Sequence, residues 1–245
     1  MIKGVTFDFG GTLADGKLNE PLFRGRLLDY LHSSGFSGGE TRLGRIINGE
    51  IEKLNRVRKL NKEIKIEDLY ASVLSKLGLN PENHMLEYIH ELYVSSFDVD
   101  VVPGAEDVLE YLKNKYRLAL ISNASSEIPR YAIRKFGLEK YFEVVVVSRD
   151  IGVRKPDPEI FRFTLKKLEL TSCETVHVGD SIYSDVAGAK NTGMKAILVD
   201  KRQDELELPD HLEKVMETTK VNFPSIKDVK PDYIINSVID LMNVL

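Results

Sequence analysis

The sequence predicts an α/β protein, with a parallel sheet covered by helices on both faces and interrupted by an all-helical insert. Three observations carry that expectation. Short apolar runs rich in Val and Ile recur along the chain. Segments with helical spacing separate them. One early block of about eighty residues keeps helical spacing and holds no convincing strand.

The candidate strands are residues 2–9, 118–121, 144–147, 175–178, 196–199 and 233–235. A strand buried on both faces reads as an unbroken apolar run, whereas a half-exposed one alternates. Between them, Val108, Leu109 and Leu112 follow Pro103-Gly104 with helical spacing. Ile160, Phe161, Thr164, Leu165 and Leu168 follow Asp157-Pro158, where Asp157 suits an N-cap and Pro158 the first turn. A third helix over residues 184–191 ends near Gly193, which suits a C′ cap. Strands alternating with helices indicate a parallel sheet.

The insert runs from about Asp15 to Phe97. Leu43, Ile47, Ile51, Leu54 and Val57 keep spacings of three and four, as do Leu69, Val73, Leu74 and Leu77. Met85, Ile89, Leu92 and Tyr93 form a further stripe after Asn80-Pro81. We therefore expect residues 15–98 to form a small helical domain and residues 1–14 with 99–245 to form the sheet core. Hinges would lie near residues 14–18 and 95–103. Between Val199 and Pro231, Leu206, Leu208, Leu212 and Val215 suggest a further helix over the sheet edge.

Composition excludes several classes. The chain has 245 residues, 42% hydrophobic and 29% charged, which argues against a disordered chain, a collagen-like fibre or a membrane protein. At this length folding buries roughly 70–75% of the unfolded surface, so a core forms without disulfides. The net charge of −4 gives no general pull toward nucleic acid or anionic membrane. The single cysteine, Cys173, offers no intrachain disulfide and no thiolate cluster, and reads as a small, partly buried residue at a helix end. No signal peptide and no apolar window of spanning length is apparent, so a cytoplasmic protein is expected. His32, His84, His90, His177 and His211 show no ligand spacing, and His177 reads as a core residue.

The chemistry-bearing residues sit at predicted strand ends. The first strand ends in Asp8-Phe9-Gly10-Gly11-Thr12. Ser122-Asn123 ends a second, and Arg154-Lys155-Pro156-Asp157-Pro158 follows a third. Gly179-Asp180-Ser181 ends a fourth, with Asp185 five positions beyond Asp180. Open α/β sheets bind ligands at the carboxyl ends of their strands. A carboxylate, a hydroxyl, an ammonium and two further carboxylates converging there suit phosphoryl transfer with Mg²⁺.

These segments resemble the four ordered motifs of the haloacid dehalogenase (HAD) superfamily. Asp8-Phe9-Gly10-Gly11-Thr12 is similar to motif one, Ser122 to motif two, Lys155 to motif three and Gly179-Asp180-Ser181 with Asp185 to motif four. The resemblance covers residues 2 to about 199 and the strand near the end. It implies a three-layer Rossmann-like core with an inserted α-helical cap. It further implies that Asp8 is a nucleophile forming an aspartyl phosphate, and that Ser122 and Lys155 hold the phosphoryl oxygens with help from Asn123. Mg²⁺ would be held by Asp8, the Gly10 carbonyl and Asp180, with Asp185 supporting the metal site or Lys155. Thr12 would close the turn. The expected substrate is a small phosphorylated metabolite, with no nucleic acid or membrane partner. The oligomeric state is left open.

One position departs from the phosphatase pattern. Gly10 stands where a second Asp usually donates a proton to the leaving oxygen and then activates water. General acid–base help is worth about 10²–10⁴-fold. Members lacking that Asp include 2-haloacid dehalogenases and phosphonoacetaldehyde hydrolases, and a non-catalytic phospho-ligand binder is a third alternative. Asp180 favours the phosphatase, because the dehalogenase motif lacks a metal-binding Asp there. A phosphonoacetaldehyde hydrolase would need a cap lysine, and Lys53, Lys59, Lys62 and Lys65 are present with nothing to single one out. Asp15 is the nearest acid that could replace the missing one, although it also reads as an ordinary loop acid. Between Lys53 and Lys65, Lys53, Arg56, Arg58, Lys59, Lys62 and Lys65 face a single acid, Glu63. That stretch reads first as a solvated helix face and second as a lure for anionic substrates.

Overall fold

The computed structural model describes residues 1–200 and 229–245. The helix expected around Leu206, Leu208, Leu212 and Val215 lies outside those residues.

Among the described residues, six parallel strands form the main sheet. They are β1 (Gly4–Phe7), β4 (Arg117–Ser122), β5 (Val144–Val147), β6 (Thr175–Gly179), β7 (Lys195–Val199) and β8 (Tyr233–Ile235). Their spatial order is β5-β4-β1-β6-β7-β8. β1 is therefore central, and the chain turns from one half of the sheet to the other on either side of it. Such a switch point opens a crevice at the carboxyl ends of the strands.

Alternate residues of the central strands feed two apolar layers. Val5, Phe7, Leu118, Leu120, Val176 and Val178 join one cluster with Val108, Leu109 and Leu112 of helix α5 (Ala105–Lys113). Ile121, Val146, Ala196 and Leu198 join the other with Ile160, Phe161 and Leu165 of α8 (Pro158–Lys167). Period-two alternation against helices on both sides gives the three-layer Rossmann-like arrangement. Helix α8 starts as expected: the Asp157 carboxylate accepts from the Glu159 N–H at 3.0 Å, with proline opening the first turn.

The insert folds as four helices, α1 (Glu20–Ser33), α2 (Glu40–Arg58), α3 (Ile66–Leu77) and α4 (Asn83–Ser95). They bury a separate apolar cluster including Phe23, Leu27, Leu43, Ile47, Leu54, Leu69, Val73 and Ile89. Helix α1 left no distinct stripe in the sequence. Its buried positions, Phe23, Leu27 and Leu31, are spaced by four, and exposed or half-buried Leu22 and Leu28 blur the periodicity.

Two expectations need correction. Residues 14–18 and 95–103 are more than hinges: β2 (Ala14–Leu18) and β3 (Phe97–Val101) pair as an antiparallel ribbon. The ribbon is mostly exposed and carries Asp15, Lys17, Asp98 and Asp100, so no apolar run announced it. Cys173 is exposed, because it lies in the short turn Ser172–Glu174 ahead of β6, past the end of α8. No helix among the described residues is long and apolar enough to cross a membrane.

Glu50 of α2 is a buried acid of the helical layer, bonded to Lys53 at 2.9 Å and to Lys76 of α3. Burial works to raise its pKa, but the two lysines win and hold the carboxyl down at about 2, from an ordinary 4.5. A depressed pKa stabilises the fold above pH 4.5, and the contribution is lost as pH falls toward 2. Glu50→Gln should therefore lower the melting temperature at pH 7, and the gap from wild type should close between pH 4.5 and 2. Circular dichroism melts over that range check this.

Candidate active site

The carboxyl edge of the sheet gathers the predicted residues around one cavity of about 400 Å³. Asp8, Gly10, Ser122, Asn123, Lys155 and Asp185 line it from the sheet, and Arg58 and Tyr93 line it from the helical layer. Asp8 follows β1 directly, and its N–H is tied to the Val178 carbonyl of β6 at 2.8 Å. Its side chain keeps 13% of its surface accessible, enough to meet a ligand from the cavity.

Lys155 is the centre of the charge network. Its ammonium lies 2.6 Å from an Asp8 oxygen and 2.6 Å from Asp185 Oδ1, and it is almost wholly buried. Burial works against its charge, but the two carboxylates outweigh that and raise its pKa above the usual lysine value. Burial likewise pushes the Asp8 carboxyl up to about 7, against the pull of Lys155. Asp185 goes the other way. Burial opposes its ionisation, yet Lys155 and His177 hold it well below the usual carboxylate range.

Asp185 is anchored from every side. Its Oδ2 accepts the Ser181 N–H at 3.0 Å, and its Oδ1 also contacts His177 Nε2 at 3.1 Å. His177 Nδ1 in turn meets Thr6 Oγ1 at 2.8 Å, and these two residues are direct neighbours across β1 and β6. His177 is buried, as the sequence reading had it, and it also positions Asp185. The π-helical turn Ile182–Ala187 carries Asp185 back over β6. Gly179 makes that approach possible, since a Cβ there would fall 2.3 Å from Asp185 Cγ.

Asn123 does not simply face the cavity. Its side-chain amide donates to the Lys155 carbonyl at 3.0 Å, and its Oδ1 accepts the Lys155 N–H at 2.8 Å. It therefore fixes the Lys155 backbone against the end of β4. Ser122 is buried at the same strand end, with its residue on the cavity wall. Thr12 does not close the turn with its side chain. Backbone bonds from Leu13 and Ala14 to the Phe9 carbonyl do so, and the buried Thr12 hydroxyl has no partner among the described residues.

Asp8, Asp180 and Asp185 each present an oxygen within 4.8 Å of the others. Hard carboxylate oxygens suit Mg²⁺. Gly11 is fitted to this group: a Cβ there would lie 2.1 Å from Asp180 Oδ2, and its φ is +76°. Gly10 is different, since a Cβ there would meet nothing within 4 Å. The position two residues after Asp8 thus has room for a side chain that this protein lacks. Asp15 does not supply it. Ala14 and Gly16 line the cavity, and strand alternation sends Asp15 to the opposite, exposed face of the ribbon.

A family model for haloacid dehalogenase-like hydrolases matches residues 2–193. The chain belongs to that family. Among relatives of this hydrolase, a glyceraldehyde 3-phosphate phosphatase from Methanothermobacter thermautotrophicus is 29% identical over 218 residues, 87% of this chain and 92% of that protein. A glyceraldehyde 3-phosphate phosphatase from Pyrococcus abyssi is 40% identical over 97 residues, which span 39% of this chain and 41% of that protein. The fold matches a 2-haloacid dehalogenase from Pseudomonas syringae with a TM-score of 0.72 at 24% identity, covering 100% of this chain and 98% of the other.

Arg154, Glu63 and Thr6 also belong to the bonding network around the cavity, and local residue spacing does not single them out. Arg154 was visible beside Lys155, and Glu63 stood out as the one acid in a basic stretch, but nothing local linked them. Gly11→Ala should destabilise the hydrolase by about 1 kcal/mol or more, because φ is positive and Asp180 must move. Thermal melts with a parallel Mg²⁺ titration check both the stability and the displaced carboxylate.

Proposed function

We propose that this HAD-like hydrolase is a Mg²⁺-dependent phosphatase of small phosphorylated metabolites. The observation that carries the reading is Asp8 held at the sheet edge by Lys155 at 2.6 Å, on the wall of a cavity that also takes in Ser122. The names of the relatives support the phosphate-ester class. The gathering of Asp8, Asp180 and Asp185 oxygens within 4.8 Å of one another supports a metal, since a dehalogenation has no use for a cation beside the nucleophile.

In this reading an Asp8 oxygen attacks phosphorus, the ester P–O bond breaks, and the leaving alkoxide departs. Water then attacks the aspartyl phosphate and frees Asp8. Lys155 and Ser122 hold the phosphoryl oxygens, while Asp185 and Asn123 position Lys155. Asp8, Asp180 and the Gly10 carbonyl would hold Mg²⁺, which supplies charge neutralisation at the phosphoryl group. The helical insert acts as a cap that closes the cavity.

No acid at Gly10 protonates the leaving oxygen, so the leaving group must bear its own charge. Turnover should therefore rise steeply as the parent alcohol becomes more acidic. Gly10→Asp has open space and should speed hydrolysis of poor-leaving-group esters by about 10²-fold, flattening that dependence. A panel of alkyl and aryl phosphates, with Mg²⁺ or EDTA, measures it. Asp8→Asn should abolish phosphate release. Metal-independent halide release from 2-haloacids, followed in parallel, would instead identify a dehalogenase. Ligand binding by a wild type that turns over nothing would identify a binding protein.

A further inference from the structure

One part of the cavity wall has no role in that chemistry. Residues 61–66, between α2 and α3, run beside the loop that leads into Lys155. Lys62 pairs with Val153, the Glu63 N–H donates to the Gly152 carbonyl at 2.9 Å, and the Arg154 N–H donates to the Asn61 carbonyl at 3.0 Å. At this junction Glu63 is fully buried and bonded to two arginines. Arg58 Nε donates to its Oε1 at 3.1 Å, and an Arg154 terminal nitrogen donates to its Oε2 at 2.9 Å. Ser148 Oγ donates to the same Oε2 at 3.0 Å.

Both arginines line the catalytic cavity. One carboxylate thus stands between two guanidiniums, and it uses one N–H donor of each. A guanidinium has five donors. Each guanidinium therefore keeps donors that Glu63 does not use. Burial and the nearby Arg58 charge both work against the Arg154 charge. Of the six cations between residues 53 and 65, Arg58 alone is among the cavity-lining residues. Beyond it the wall becomes mostly apolar: Arg58, Tyr93 and Ser125 also border a cavity of about 190 Å³ with Phe23, Ile47, Leu54 and Leu69.

We propose that Arg58 and Arg154, braced by Glu63, form a subsite for a second anionic group, so that the preferred substrate carries a carboxylate or a second phosphate besides its transferred phosphoryl group. The inference rests on the phosphatase reading for the role of the first phosphoryl group. Guanidinium forks match carboxylate and phosphate oxygens alike, and a partly desolvated pair of them bonds an anion more strongly than a neutral acceptor. Placing one arginine in the helical layer and the other beside Lys155 makes such a substrate bridge the two, which would draw the layer onto the sheet edge.

The test uses glycerol 3-phosphate, 3-phosphoglycerate and 1,3-propanediol bisphosphate, which differ in whether the second group is neutral, carboxylate or phosphate. Binding is measured by calorimetry on full-length Asp8→Asn with Mg²⁺, and phosphate release on the wild type. At least one of the two compounds with a second anionic group should bind roughly tenfold or more tightly than glycerol 3-phosphate. That preference should collapse in Asp8→Asn combined with Arg58→Gln or with Arg154→Gln, and be partly kept with Arg58→Lys. The two anionic compounds decide between carboxylate and phosphate. Equal binding of all three, or a preference that survives both glutamine variants, overturns the subsite. Absence of phosphate release from every ester by the wild type, with the binding preference intact, overturns the phosphatase reading alone.

Discussion

A buried ammonium holds this site together. Lys155 sits between Asp8 and Asp185 with almost no contact with solvent. An unpaired charge in that position would cost several kcal/mol, so the two carboxylates have to be there. Their presence dictates much else. Asp185 must reach back over β6, which requires Gly179 to lack a side chain. Its remaining lone pairs must be met, which the Ser181 N–H and His177 accomplish. His177 must then be oriented, and Thr6 on the neighbouring strand does so. A line of polar contacts thus runs from inside the sheet to Asp8.

The same lysine connects the sheet to the helical layer. Its backbone is clasped by Asn123, and the residue before it is bonded to Asn61. The Ile66 N–H meets the Ser125 carbonyl at 2.9 Å, just beyond the end of β4. The layer therefore touches the sheet at a third place besides the paired strands β2 and β3. Around that place charges cluster: Arg58, Glu63 and Arg154, and further along Arg149 with Glu67 at 2.7 Å. Movement of the layer would have to act on the loop that carries Lys155 and on the one that follows Ser122.

Gly10 gives the site its individual character. The surrounding elements keep Asp8, Lys155 and two further carboxylates, Asp180 and Asp185, and a side chain at position 10 would meet open space. In the phosphatase we propose, the missing side chain at position 10 leaves stabilisation of the leaving group to the substrate itself.

The sequence by itself determined the parallel sheet, because doubly buried strands write continuous apolar runs, and it determined the helical insert through its i, i+4 stripes. It also marked Asp8, Ser122, Lys155 and Asp180, because they lie at or beyond the carboxyl ends of strands, where parallel sheets bind ligands. Only the tertiary structure paired β2 with β3, since their exposed residues carry no pattern and their partners lie about eighty positions apart. Only the tertiary structure joined Thr6, His177 and Asp185, turned Asp15 away from the cavity and seated Glu63 between Arg58 and Arg154. Those relations depend on side-chain direction and on contacts between distant segments. Local residue spacing contains the first only in part and the second not at all.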